Sequence, residues 1–316
     1  MRESTKATAL MVVIKLAVIF IFVAVGMCFV HPANWGISTH GFDIKTVAPG
    51  GFDSIILSAF IIFYAYIGFD TISTAAEETK NPQKNLPIGL LGSLIVCSIL
   101  YGLVAIVFTG IIPVSQYGEV DILAPIAHAV RLINQPWIAT WISLGALAGL
   151  TSALLVFQYG NTRILYAMTR DNFLPKSLQK IHPVYKTPHV TTWITTIVVM
   201  LGCIFMNAHV AAELCIFGTL ACFIMVSVGV LIMRKTNPNL PRPFRVPFCP
   251  WLPLIGIGFC TYLIVRAIPQ LVTSALLFPV WLLIGVAIYL SYGYKMNRKA
   301  EADGTAQTIL RNEDDD

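Results

Sequence analysis

The chain has 316 residues, 56% of them hydrophobic and only 12% charged, with a formal net charge of +5. Soluble domains usually carry about 25% charged residues, so this composition excludes an ordinary water-soluble fold. Read alone, the basic excess would suit a nucleic-acid binder; its placement along the chain accounts for it without one.

A membrane-spanning helix needs about 20 apolar residues. Eight segments are read as spans: 8–30, 54–77, 88–112, 137–168, 189–206, 210–233, 252–272 and 276–294. The first is not a signal peptide, because its apolar run is too long, no small-residue cleavage site follows it, and Lys15 interrupts it. Lys15 stands about two turns inside and either snorkels to the near surface or is buried, with a lowered pKa that lets it titrate.

Segment 31–53, "HPANWGISTHGFDIKTVAPGGFD", reads as an outer loop from its Gly, Pro and Asn content, with Trp35 as an interfacial anchor. The second span then places Gly68 and Asp70 inside its apolar run, followed by "TIST". Gly, Asp and Thr are poor helix formers, so a break between Tyr66 and Ser73 is expected. Lipid cannot satisfy backbone groups freed by a break, so they must face protein or a watered cavity. An unbroken helix, with Gly68 for close packing and Asp70 paired to a neighbour, is the other arrangement.

Further along, 121–134 is too short to span and reads as a helix lying at the outer surface. Gly145 and Gly149 form a G-x-x-x-G, a common packing motif. Segment 170–188 is a basic loop. Glu213 sits near the outer end of its span and reads as part of a wetted helix start. Segment 234–250, "RKTNPNLPRPFRVPFCP", holds five prolines and reads as a stiff extended link. Residues 1–299 thus form one membrane domain, and 300–316, ending in "NEDDD", a disordered acidic tail.

With the N-terminus placed in the cytoplasm and eight spans following, 17 of the 21 basic residues fall on the cytoplasmic side, three outside (Lys45, Arg131, Arg266), and Lys15 inside a span. That is the positive-inside bias; it puts both termini in the cytoplasm and removes the need for a nucleic-acid partner. The seven cysteines include no C-x-x-C pair and read as small hydrophobes rather than as a disulfide framework or metal site. The chain lacks H-E-x-x-H, G-x-S-x-G and Walker A motifs, so no catalytic constellation, metal or cofactor is expected, and an ATP-driven pump is disfavoured.

The stretch "GFDTISTAAEETKNPQKNLPIG" resembles the signature around the sixth helix of amino acid–polyamine–organocation permeases, most of all their cationic amino acid transporter branch and its bacterial relatives. "GALAGLTSALLVFQYGNTRILYAMTRDNFLPK" resembles that family's eighth helix and following loop, "RPFRVPFCPWLPLIG" the approach to its eleventh, and "IKLAVIFIFVAVGMCFVHPANW" its fifth. The resemblance implies an all-α membrane protein, the C-terminal part of an inverted-repeat, leucine-transporter-like fold. On the same footing it implies that the first four family helices, with a glycine-rich turn that holds the substrate carboxylate, are not in this chain.

The resemblance also implies roles. Backbone carbonyls around Tyr64, Ala65 and Ile67 would receive a substrate amino group at a break marked by Gly68. Asp70 would tune the pocket's polarity or gating. Lys15 matches a fifth-helix lysine whose ammonium takes a sodium position in proton-coupled relatives. Thr151 and Ser152 on the facing helix are weaker candidates. The expected function is a secondary active amino acid transporter in the cell (inner or plasma) membrane, not an enzyme, with an amino acid, protons and the lipid bilayer as partners. The resemblance implies that this chain represents the C-terminal two-thirds of such a transporter, and no amino acid uptake by residues 1–316 alone is expected; the alternative is a non-transporting truncated fragment or pseudogene product.

Overall fold

In a computed structural model, the described residues are 2–35, 37–38, 41–42, 50–74, 76, 79–113, 116–117, 124–183, 187–239, 242, 244–296 and 298. The tail 300–316 and residues 43–49 and 121–123 lie outside them.

Ten α-helices carry the described chain: α1 (Arg2–Met27), α2 (Gly51–Ile62), α3 (Thr71–Thr74), α4 (Pro82–Ile111), α5 (Pro125–Leu132), α6 (Pro136–Arg170), α7 (His189–Phe205), α8 (Ala208–Thr236), α9 (Trp251–Ala267) and α10 (Val272–Ile288). The only strands among the described residues are β1 (Ile37–Ser38) and β2 (Gly41–Phe42), paired antiparallel after α1. Several helices begin where the sequence supplies a start. Pro125 and Pro136 open α5 and α6 at positions where a missing N–H costs nothing. Asn207 caps α8, its side chain accepting from the His209 N–H at 3.1 Å.

Six helical segments are long and apolar enough to cross a membrane: Thr8–Met27, Gly51–Thr74, Pro82–Ile111, Pro136–Arg170, Ala208–Thr236 and Val272–Met296. The two other expected spans form apolar helices of 17 residues, α7 and α9. No more than 17% of any long span's most apolar window is buried, and side chains such as Leu154, Leu276 and Leu283 are each 67% exposed. Apolar surface on that scale is stable against lipid and not against water. The chain is a multi-pass membrane protein.

The chain divides into two compact units. The first comprises 1–58 and 85–157, the second 59–84 and 158–316. In the first, Phe22 of α1 and Val107, Ile111 and Ile112 at the end of α4 close over Ile138, Ala139 and Ile142 of α6. The segment 121–134 does form a helix over 125–132, but it does not simply lie on a surface. Ala127, Ala129 and Val130 are buried in this same core. Trp35 likewise turns inward, its indole N–H donating to Thr109 Oγ1 at 3.1 Å. Gly110 lets that loop close, since a Cβ there would sit 2.8 Å from Val30 and 2.9 Å from Trp35.

The second unit is built on aromatic contacts. Phe60 of α2 packs on Phe217 of α8 (centroids 5.1 Å apart), and Phe217 stacks on Phe278 of α10. Arg234 and Arg242 fold the proline-rich link back onto the end of α8. The Arg242 guanidinium donates to the carbonyls of Met233, Asn237 and Pro238, and Arg234 donates to Val246 O. The last carbonyls of a helix lack intrahelical donors, and a cation is favoured there by the helix dipole.

Candidate functional site: an interrupted helix

The second span is broken. Ile62 is still helical, Phe63–Tyr66 tightens into a 3-10 turn, and Ile67 swings to an extended conformation at φ −62°, ψ 130°. Gly68 follows at φ +114°, a region that strains any residue bearing a Cβ. Bonds across the turn span three residues rather than four: Ile67 N–H to Tyr64 O (3.2 Å), Thr71 N–H to Gly68 O (3.1 Å) and Ser73 N–H to Asp70 O (2.9 Å). The interruption expected between Tyr66 and Ser73 is present, and it begins a turn earlier, at Phe63.

Asp70 is half-buried and turns back on the break. Its Oδ1 accepts the Gly68 N–H at 3.2 Å, satisfying one donor the break releases. The Tyr64 carbonyl already accepts from Ile67, which leaves its second lone pair for another donor. Tyr64 and Ala65 are exposed, Ile67 and Gly68 half-buried. No hydrogen bond among the described residues reaches the Ile67 carbonyl. The local chemistry is therefore a short run of backbone acceptors beside one carboxylate, suited to a cationic or ammonium-bearing donor.

Neighbouring elements hold this geometry. Phe63 and Phe69 both pack on Phe223 of α8, with centroids 5.9 and 5.7 Å away. Gly160 of α6 is buried, and a Cβ there would approach Thr71 Cγ2 to 2.8 Å. Only glycine lets the chain resume as α3 so close to α6.

Lys15, in the first unit, is half-buried in α1. Its stem runs beside Gly149 of α6, where a Cβ would lie 3.7 Å from Lys15 Cδ, one turn from Gly145, where a Cβ would meet Val18 at 2.7 Å. The G-x-x-x-G thus seats α1. Among the described residues, the Lys15 ammonium has no hydrogen-bond or ion-pair partner. Ser152, three residues beyond Gly149, is 3% exposed and donates to Gly149 O. Thr151 is exposed and donates to Leu147 O. The structure separates these two weaker candidates: Ser152 is buried on the helix that receives Lys15, and Thr151 is not. A cavity of about 420 Å³, lined by Phe29, His31, Ile111, Gln116, Leu132, Ile133 and Asn134, holds none of the nominated residues. No cluster of three or more metal-ligating side chains occurs among the described residues.

Residues 1–290 match the family model for amino acid permeases. The chain belongs to the amino acid permease family. It is 41% identical over 298 residues to the branched-chain amino acid permease BcaP of Bacillus subtilis (strain 168), covering 94% of this chain and 61% of that protein. It is 38% identical over 294 residues to the methylthioribose transporter of the same organism, covering 93% and 60%. Cationic amino acid transporter 9, chloroplastic, of Arabidopsis thaliana is 35% identical over 236 residues, covering 75% and 39%. The chain spans about three fifths of the length of the first two relatives.

Two polar contacts in this permease chain escaped the sequence reading. Gln158 of α6 donates through its amide to Thr195 Oγ1 (2.6 Å), Thr192 O (3.2 Å) and Thr196 Oγ1 (3.3 Å) of α7. Glu213 is not merely wetted: it accepts from the fully buried Ser274 of α10 at 2.5 Å. A lone glutamine in "VFQYG" and the pairs of threonine in "TTWITT" were the available signals. Each residue looks ordinary until α6 and α7 are placed side by side.

Proposed function

We propose that this chain serves as part of a secondary active amino acid transporter of the cell membrane, coupled to protons. One observation carries the reading: a spanning helix interrupted over 63–70, with a carboxylate folded onto the gap. A membrane protein tolerates open backbone groups only where protein or an aqueous cavity meets them, and discontinuous helices supply substrate and ion sites in transporters of inverted-repeat construction. In this reading the carbonyls of Tyr64, Ala65 and Ile67 receive the substrate amino group, and Gly68 permits the turn. Asp70 holds the turn and adds negative charge beside the ammonium.

Lys15 supplies the coupling group. Protonated, its ammonium occupies the position a metal cation would take; its deprotonation and reprotonation carry a proton across with each cycle. The Gly149 groove and Ser152 support that assignment. The proposed substrate is an amino acid, the class in the names of the branched-chain and cationic relatives; the methylthioribose transporter is the relative whose name departs from it.

The test is uptake by the complete gene product containing this chain, in proteoliposomes with an imposed proton gradient. Saturable, gradient-driven amino acid uptake is expected. Lys15→Ala should retain substrate binding and lose most of the dependence on the gradient. An unchanged pH profile in that variant would return Lys15 to a snorkelling side chain, and absence of any amino acid binding by the wild type would remove the transporter reading itself.

A further inference from the structure

The link between α8 and α9 presents an unusual surface. From Arg234 to Trp251 it contains four cations and no acid. Two of these cations are consumed internally: Arg242 covers the carbonyls at the end of α8, and Arg234 reaches Val246 O. The other two, Lys235 and Arg245, are exposed and have no hydrogen-bond or ion-pair partner among the described residues. Interleaved with them are three large aromatics turned outward: Phe248 at 84%, Trp251 at 69% and Phe244 at 51% exposure. Phe248, the most exposed, also has φ +49°, a left-handed conformation uncommon for an aromatic residue.

We propose that this link is an anionic-phospholipid site at the membrane interface. Phe244, Phe248 and Trp251 enter the boundary between headgroups and acyl chains, and Lys235 and Arg245 bind lipid phosphates. Because α8 and α9 are both apolar, the link joining their ends lies at a bilayer surface. Aromatic rings are favoured at that depth, and a bare cation beside them meets the phosphate layer. Basic segments next to spanning helices gain from anionic lipid charge. A free inorganic anion would satisfy the cations and leave three aromatic side chains in water, so the aromatics decide for lipid. Arg242 and Arg234 have the separate task of holding the link in shape. The inference is independent of the transport reading, since it needs neither Lys15 nor the break.

The test uses the purified chain in mild detergent, titrated with phosphatidylglycerol, phosphatidylcholine or inorganic phosphate. Binding is read by native mass spectrometry. Phosphatidylglycerol should bind more tightly than phosphatidylcholine, and phosphate should not compete. Lys235→Gln and Arg245→Gln should each lower phosphatidylglycerol affinity about fivefold, leaving phosphatidylcholine unchanged. In vesicles with acyl chains brominated at shallow or deep positions, the difference in fluorescence between wild type and Trp251→Phe isolates Trp251. It should be quenched most by the shallow bromines. Equal binding of the two lipids, full phosphatidylglycerol affinity in the double variant, displacement by phosphate, or no quenching of Trp251 would each overturn the assignment.

Discussion

Gly68 and Asp70 do different work within three residues. The glycine is demanded by geometry, because φ +114° costs a Cβ-bearing residue about 1–3 kcal/mol. Gly68→Ala is therefore expected to lower the melting temperature of the purified chain, as scanned in detergent. Asp70 supplies an acceptor for the Gly68 N–H and, separately, a charge. Asparagine keeps the acceptor and loses the charge. Asp70→Asn should fold like the wild type and lower uptake by the complete gene product more than it lowers surface expression, whereas Asp70→Ala should also lose thermal stability. Equal stability of the Ala and Asn variants would show that the 3.2 Å contact contributes nothing.

Between elements, glycine sets how closely helices approach. A Cβ at Gly160 would lie 2.8 Å from Thr71 Cγ2, a distance that forces one helix to move and costs about 1–3 kcal/mol. Gly160→Ala should destabilise, and Thr71→Ser, which removes that methyl, should restore most of the loss. A double-mutant cycle on melting temperature measures the coupling, and additive effects would place the strain elsewhere. The contact between α6 and α7 is of another kind. Gln158 donates to three groups of α7, but Thr195 and Thr196 also donate within their own helix. Gln158→Leu thus leaves few polar atoms stranded, and a loss of about 0.6–2 kcal/mol is expected from chemical unfolding in detergent.

For the whole molecule, the distribution of charge bears on which end faces which side. We propose, from the bias of the basic residues alone, that the loops 170–188 and 234–250 face the cytoplasm together with both termini. On a cysteine-free background, a membrane-impermeant thiol reagent added from outside should label a cysteine at Ser38 and spare one at Ser177; the reverse pattern would invert the topology. The lipid site on the link between α8 and α9 would then belong to the inner leaflet if Ser177 is spared.

Composition and the length of the apolar runs were enough to determine a helical membrane protein. The energetic penalty of exposing so much apolar surface to water leaves few alternatives, and a span has a length that can be counted. The break was legible for a similar reason: glycine, aspartate and threonine in one short apolar run announce a local conformational conflict, and local conflicts are written in adjacent residues. Contacts between distant residues were not legible. Val130 is buried on the core face of α5, Gly160 admits Thr71, Glu213 meets Ser274, and Arg242 caps α8 instead of standing free. Each depends on the partner brought close by folding. A helix face carries no mark in one dimension saying whether lipid or another helix will cover it, because both solvents reward the same apolar residues. Only the packed chain distinguishes them.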